Sequence, residues 1–161
     1  MDYLDCKTLV LGCGNILFGD DGFGPAVVDC LLDNYSLPPH VCVQNAGISV
    51  RNLLFTIVLS DRHPGNIIII DAIDAGKPAG EIFELDIDQL PKIKIDDFSM
   101  HQLPTSNLLK ELNEFCDIEV KILSAQVQQI PDEVDPGLSK VIRAAIPVAC
   151  EKIITLIGNF R

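Results

Sequence analysis

Asn66-Ile67-Ile68-Ile69-Ile70-Asp71 carries four isoleucines in a row, and this run constrains the fold more than any other stretch. Branching at Cβ favours the extended backbone. Successive strand residues point to opposite faces, so an unbroken apolar run puts isoleucine on both. A strand of that kind needs cover on both sides. It suits the centre of a mostly parallel sheet with helices packed above and below.

The rest of the chain supplies suitable neighbours. Residues 7–11 are apolar enough for a second buried strand, with a glycine-rich loop after it. Residues 22–34 follow as an amphipathic helix with Val27, Val28, Leu31 and Leu32 inward, ended by Pro38-Pro39. Residues 41–44 read as a short strand, and residues 50–59 as a helix with Leu53, Leu54, Ile57 and Val58 on one face. The connection Ala75-Gly76-Lys77-Pro78-Ala79-Gly80 is too short for a crossover helix, so residues 81–86 return antiparallel to their neighbour. Residues 91–99 stay unassigned, with Ile93 and Ile95 alternating with Lys92 and Lys94. Residues 105–115 form a helix, 118–124 a strand, 126–137 a polar loop, and 138–157 a terminal helix that Pro147 should kink or break. The expected architecture is α/β: a three-layer sandwich around a mostly parallel twisted sheet with one antiparallel strand, in a single domain over residues 1–161.

Composition removes several functions. The 161 residues are 48% apolar and carry a formal net charge of −11 with no basic cluster, which argues against nucleic acid and against anionic membrane as partners. The first residues lack the features of a signal peptide and no apolar run is long enough to span a bilayer, so a soluble, cytoplasmic protein is expected. The six cysteines form no C-x-x-C pair and read as buried free thiols.

The loops at the carboxyl edge of the sheet are where such folds bind ligands. Gly12-x-Gly14 follows a strand and precedes a helix, as a dinucleotide fingerprint requires. Leu17 occupies the third small position, however, and Gln44 and Asn45 stand where the ribose-binding acid belongs. Asp20 and Asp21 would also oppose a pyrophosphate. No P-loop Gly-Lys-Ser/Thr and no Gly-x-Ser-x-Gly elbow occurs, and a Cys13–His101 nucleophile pair has no spacing to recommend it. A metal fits better. Asp20 or Asp21 after the first strand, Asp71 with Asp74 at the end of the isoleucine strand, and His101 before a helix offer two carboxylates and one imidazole with open positions. That donor set suits Ni²⁺, Zn²⁺, Mn²⁺ or Fe²⁺. Each residue also has an ordinary structural role open to it: a helix cap for Asp20, Asp21 or His101, and a turn for Asp74. His40 and His63, each beside a proline, are read as structural.

Gly14-Asn15-Ile16-Leu17-Phe18-Gly19-Asp20-Asp21-Gly22-Phe23-Gly24 closely resembles the signature loop of hydrogenase maturation endopeptidases. Ile70-Asp71-Ala72-Ile73-Asp74 resembles their second motif, and Ser99-Met100-His101-Gln102-Leu103-Pro104 their histidine motif. The polar loop 126–137 with Leu138-Ser139 is similar as well, in the same order along nearly the whole chain. The resemblance implies an α/β sandwich that removes a C-terminal extension from the large-subunit precursor of a nickel–iron hydrogenase after nickel insertion. By that resemblance Asp21, Asp71 and His101 are both the catalytic and the metal-contacting residues. The nickel arrives with the substrate, and other divalent cations can take its place. An aspartic-protease label would then be a classification by residue type. Where the family usually carries Asp-Gly-Gly, this chain has Asn45-Ala46-Gly47, and Met100 replaces a smaller residue. These features look like the branch that serves deazaflavin-coenzyme-reducing hydrogenases. The Asn45 departure keeps a second reading open: a non-catalytic maturation factor that inspects the nickel-loaded subunit without cutting it.

Overall fold

The computed structural model describes residues 2–85, 87 and 103–160. Five strands form one sheet: β1 (Thr8–Cys13), β2 (Val41–Gly47), β3 (Asn66–Ile73), β4 (Ile82–Leu85) and β5 (Glu119–Gln126), in the order β2-β1-β3-β5-β4. β1 pairs in parallel with β2 and β3, and β3 with β5, whereas β4 runs antiparallel to β5. Among the described residues four helices cover the sheet: α1 (Phe23–Asn34), α2 (Val50–Leu59), α3 (Leu103–Phe115) and α4 (Lys140–Asn159). The three-layer, mostly parallel sandwich with one antiparallel strand is the architecture the sequence called for.

The isoleucine run explains the layering. Ile67, Ile69 and Ile73 pack with Val50, Leu54 and Ile57 of α2 and with Leu108, Leu109 and Leu112 of α3. Ile68, Ile70 and Ala72 pack with Phe23, Val27 and Leu31 of α1 and with Ile142, Ala149 and Ile153 of α4. All eight residues of β3 are buried. At ~25 cal/mol per Å² of apolar surface removed from water, this double-sided burial is the main force ordering the sheet.

Three local outcomes refine the sequence reading. β4 does return antiparallel, but its partner is β5, which enters the sheet later and fills the gap beside β3. Of the kink or break expected at Pro147, the break does not occur: α4 is one continuous helix of 20 residues. Pro147 lies on the exposed side, and so does Arg143, whose carbonyl the proline leaves without its helical donor, so water can serve that carbonyl. The six cysteines form no disulfide with one another; Cys6, Cys13 and Cys150 are buried, while Cys30, Cys42 and Cys116 are half-buried. Burial, aided by the neighbouring Cys42 side chain, pushes the Cys6 thiol up to about 12. Burial beside Cys30 does the same to Cys150. Residues 91–99 and His101 lie outside the described residues. Among the described residues no helix is long and apolar enough to cross a membrane.

Candidate functional site

The chain runs from β1 through α1 to β2 on one side, then through α2 to β3 on the other. α1 and α2 lie on opposite faces, so the strand order reverses between β1 and β3. A crevice opens at the carboxyl ends of such a pair, and ligands of open α/β sheets bind there. The loop after β1 carries Asp20 and Asp21, and the carboxyl end of β3 carries Asp71.

Glycines bring the two edges together. A Cβ on Gly24 would lie 2.6 Å from the Ile70 carbonyl oxygen and 2.5 Å from the Cys13 nitrogen. A Cβ on Gly12 would meet the Gly24 carbonyl at 2.5 Å. The first turn of α1 therefore presses directly on the ends of β1 and β3, which seats the Asp21 loop beside the residue preceding Asp71. Gly14 has φ +131°, and a side chain there would collide with the Asp21 carbonyl.

The adjacent aspartates have separate roles. Asp20 is 1% exposed. Its Oδ2 accepts from the backbone N–H of Gln128 (2.9 Å), that of Gln129 (3.2 Å) and the Ser139 hydroxyl (3.0 Å). Its Oδ1 accepts from the Ser139 N–H at 2.7 Å. This carboxylate clamps the loop between β5 and α4 against the glycine loop. Gly19 N–H donates to Asp135 at 2.9 Å and Asp135 N–H to Leu17 at 2.8 Å, completing the seam. Asp21 is only half-buried, and its Oδ2 accepts from the Asn15 N–H at 2.9 Å. The N-cap position of α1 is held by Gly22 and by neither aspartate.

Asp71 is 4% exposed and its Oδ1 accepts from the Ala72 N–H at 2.9 Å. Alternation places it with Ile69 and Ile73 on the α2/α3 face. Asp74 is exposed and serves its turn, accepting from Gly76 N–H (3.2 Å) and from Gln126 Nε2 (3.0 Å). Gln126 also accepts from Ala75 N–H (2.8 Å) and Lys77 N–H (3.2 Å), so one amide ties down the chain leaving β3. Sequence reasoning missed Gln126 because it looked like the start of a polar loop. The Asn45 turn joins the rim: Gly14 N–H donates to the Gly47 carbonyl at 3.0 Å, and Asn45 lines a groove of ≈ 250 Å³ with Ile16, Pro25, Asp29 and Leu138.

The structure thus gathers Asp21 and Asp71 at one switch point and assigns Asp20 and Asp74 to structure. His101, the third expected ligand, lies outside the described residues. α3, which begins two residues later, packs on the same face of the sheet as Asp71 and leads directly into the start of β5. Among the described residues no three His, Cys, Asp or Glu side chains form a ready ligand cluster. Cys13 is buried, its thiol 3.9 Å from the Leu11 carbonyl, which is no place for an attacking nucleophile.

A doubly wound α/β domain with acidic residues at its switch point belongs to the class of open-sheet proteins whose sites lie at the carboxyl edge of the strands. The chain belongs to the hydrogenase maturation protease family: residues 25–156 match the family model HycI, hydrogenase maturation protease. A candidate hydrogenase maturation protease of Methanocaldococcus jannaschii is 41% identical over 148 residues, 91% of this chain and 93% of its own. The delta subunit of the coenzyme F420 hydrogenase of Methanothermobacter thermautotrophicus is 32% identical over 96% of both chains. Among solved structures, the hydrogenase maturating endopeptidase HybD of Escherichia coli superposes with a TM-score of 0.73 at 29% identity, covering 94% of this chain and 92% of that one. The family is one of hydrolases that process hydrogenase precursors.

Proposed function

We propose that the chain is an endopeptidase that removes the C-terminal extension of a nickel–iron hydrogenase large-subunit precursor once nickel is in place. The observation that carries this reading is the meeting of the Asp21 loop and Asp71 at the β1/β3 switch point of a chain belonging to this family. In this reading Asp21, Asp71 and His101 complete the coordination of the nickel that the substrate brings. The nickel can polarise the scissile carbonyl or lower the pKa of a bound water. The chain's own carboxylates hold that assembly in register with the peptide bond. A protein substrate fits the surroundings: Ile16, Leu17, Ile48 and Val134 stand 45–63% exposed on loops at this edge. The work would take place in the cytoplasm, where the chain's acidity is no obstacle; among the described residues no helix is long and apolar enough to cross a membrane.

The second reading, a non-catalytic checkpoint factor, is favoured by Asn45 and by the relative whose name makes it a hydrogenase subunit. Mass spectrometry of a nickel-loaded precursor separates the two. Shortening that depends on this chain, and fails with Asp21→Asn and His101→Ala, supports the endopeptidase. A precursor bound but never shortened supports the checkpoint factor.

A further inference from the structure

We infer that Ser124 is a positioning residue that fixes the carboxylate of Asp71, an inference that rests on the cation-contacting reading of Asp71 given above. β3 and β5 run parallel with Asp71 directly opposite Ser124. Asp71 follows the alternation of Ile69 and Ile73, and Ser124 that of Ile122, all on the α2/α3 face. The two side chains are therefore same-face neighbours in adjacent strands. Ser124 is 0% exposed, and its Oγ has no hydrogen-bond partner among the described residues.

That vacancy is unusual. Buried hydroxyls are nearly always paired, because an unpaired one loses its hydration and gains nothing. The positions around it on the same layer, Ile122 and Ile69, are apolar, and alanine would fill the Ser124 position without the loss. Two other buried polar side chains at this end of the sheet are satisfied: Asp20 by four donors, and Gln126 through both ends of its amide. Among the described residues the Ser124 hydroxyl is the buried side-chain group left unpaired, and it lies beside the carboxylate that the proposed function gives to the cation. One Asp71 oxygen already accepts from the Ala72 N–H. A cation drawing on this carboxylate needs its plane held still. A hydroxyl that can rotate towards it and donate supplies that restraint, as outer partners of metal-binding carboxylates do elsewhere. The serine remains a donor throughout and touches no reacting atom.

The test uses full-length Ser124→Ala and Ser124→Thr, with Asp71→Asn as reference. Ni²⁺ binding is read by calorimetry and precursor shortening by mass spectrometry, with thermal midpoints alongside. Ser124→Ala should hold or raise its midpoint, lose roughly tenfold in Ni²⁺ affinity, and lower kcat with KM unchanged. Ser124→Thr, which keeps the hydroxyl, should recover most of both. Wild-type affinity and kcat in Ser124→Ala, while Asp71→Asn loses both, would overturn the role of Ser124 and leave the site reading standing. A fall in midpoint that accounts for the lost activity, unrescued by threonine, would overturn it as a purely structural effect. Full activity and Ni²⁺ affinity in Asp71→Asn would instead remove the reading on which the inference rests.

Discussion

Asp20 and Asp21 are neighbours of identical chemistry, and what separates them is their surroundings. Asp20 is encased by four donors from the loop ending at Ser139, while Asp21 stays half-open to the crevice. Hydrogen bonds to a charged acceptor contribute about 1.5–3 kcal/mol each, and an unsatisfied buried donor is costly. Asp20→Asn should therefore lower stability by about 2–3 kcal/mol in urea denaturation. Asp21→Asn should change it by less than about 1 kcal/mol yet abolish precursor cleavage. The reverse pattern would exchange the two roles. Gly14→Ala should cost about 1–3 kcal/mol, from its positive φ and the collision with the Asp21 carbonyl, and should displace Asp21 with it. Sequence alone could not divide the aspartates, because the partners of Asp20 lie more than a hundred residues away. Ser124 was hidden in the same way, because its interest comes wholly from its register with Asp71 on a strand that enters the sheet later in the chain.

At the scale of elements, the legible features were those set by neighbouring residues. The ends of α2 fall where the apolar spacing placed them, at Val50 and Leu59. β1 and β3 each run two residues beyond the expected ends, because parallel pairing continues through Gly12 and Asp71. The pairing of β4 was half legible: a short connection dictates its direction, but its partner β5 comes later in the chain. Of the kink or break expected at Pro147, the break does not occur, because α4 is held by Ile142, Ala145, Ala149, Cys150 and Ile153 packed on the sheet. That packing outweighs one missing hydrogen bond. Pro147→Ala should therefore stabilise the protein by about 1–2 kcal/mol, the gain in helix exceeding the greater freedom of the unfolded chain. A lower urea midpoint in that variant would show that the proline shapes α4 for its seat.

For the molecule as a whole, the isoleucine strand foretold the layers, and the layers made the switch point. Burial on both faces forces helices to both sides, and the reversal of strand order between β1 and β3 follows from placing α1 and α2 on opposite faces. The core also carries a pH signature. Cys6 and Cys150 are held protonated by burial, up to about 12. Unfolded thiols ionise near pH 8.5–9. Above that pH the folded state binds more protons than the unfolded one, so their stabilising contribution, complete below about pH 8.5, declines as the pH rises towards 12. The slope is at most about 1.4 kcal/mol per pH unit for each thiol. Cys6→Ala/Cys150→Ala should flatten the alkaline limb of a stability–pH curve, and an unchanged limb would assign it to other groups.

The proposed function requires Asp21, Asp71 and His101 to converge on one cation at the switch point. A crystal soaked with Zn²⁺, standing in for the nickel of the substrate, tests that convergence. One anomalous peak is expected at about 2.0–2.2 Å from a carboxylate oxygen of Asp21, one of Asp71 and a ring nitrogen of His101. A crevice left empty at saturating Zn²⁺, or a peak there ligated without Asp21 and Asp71, would contradict it.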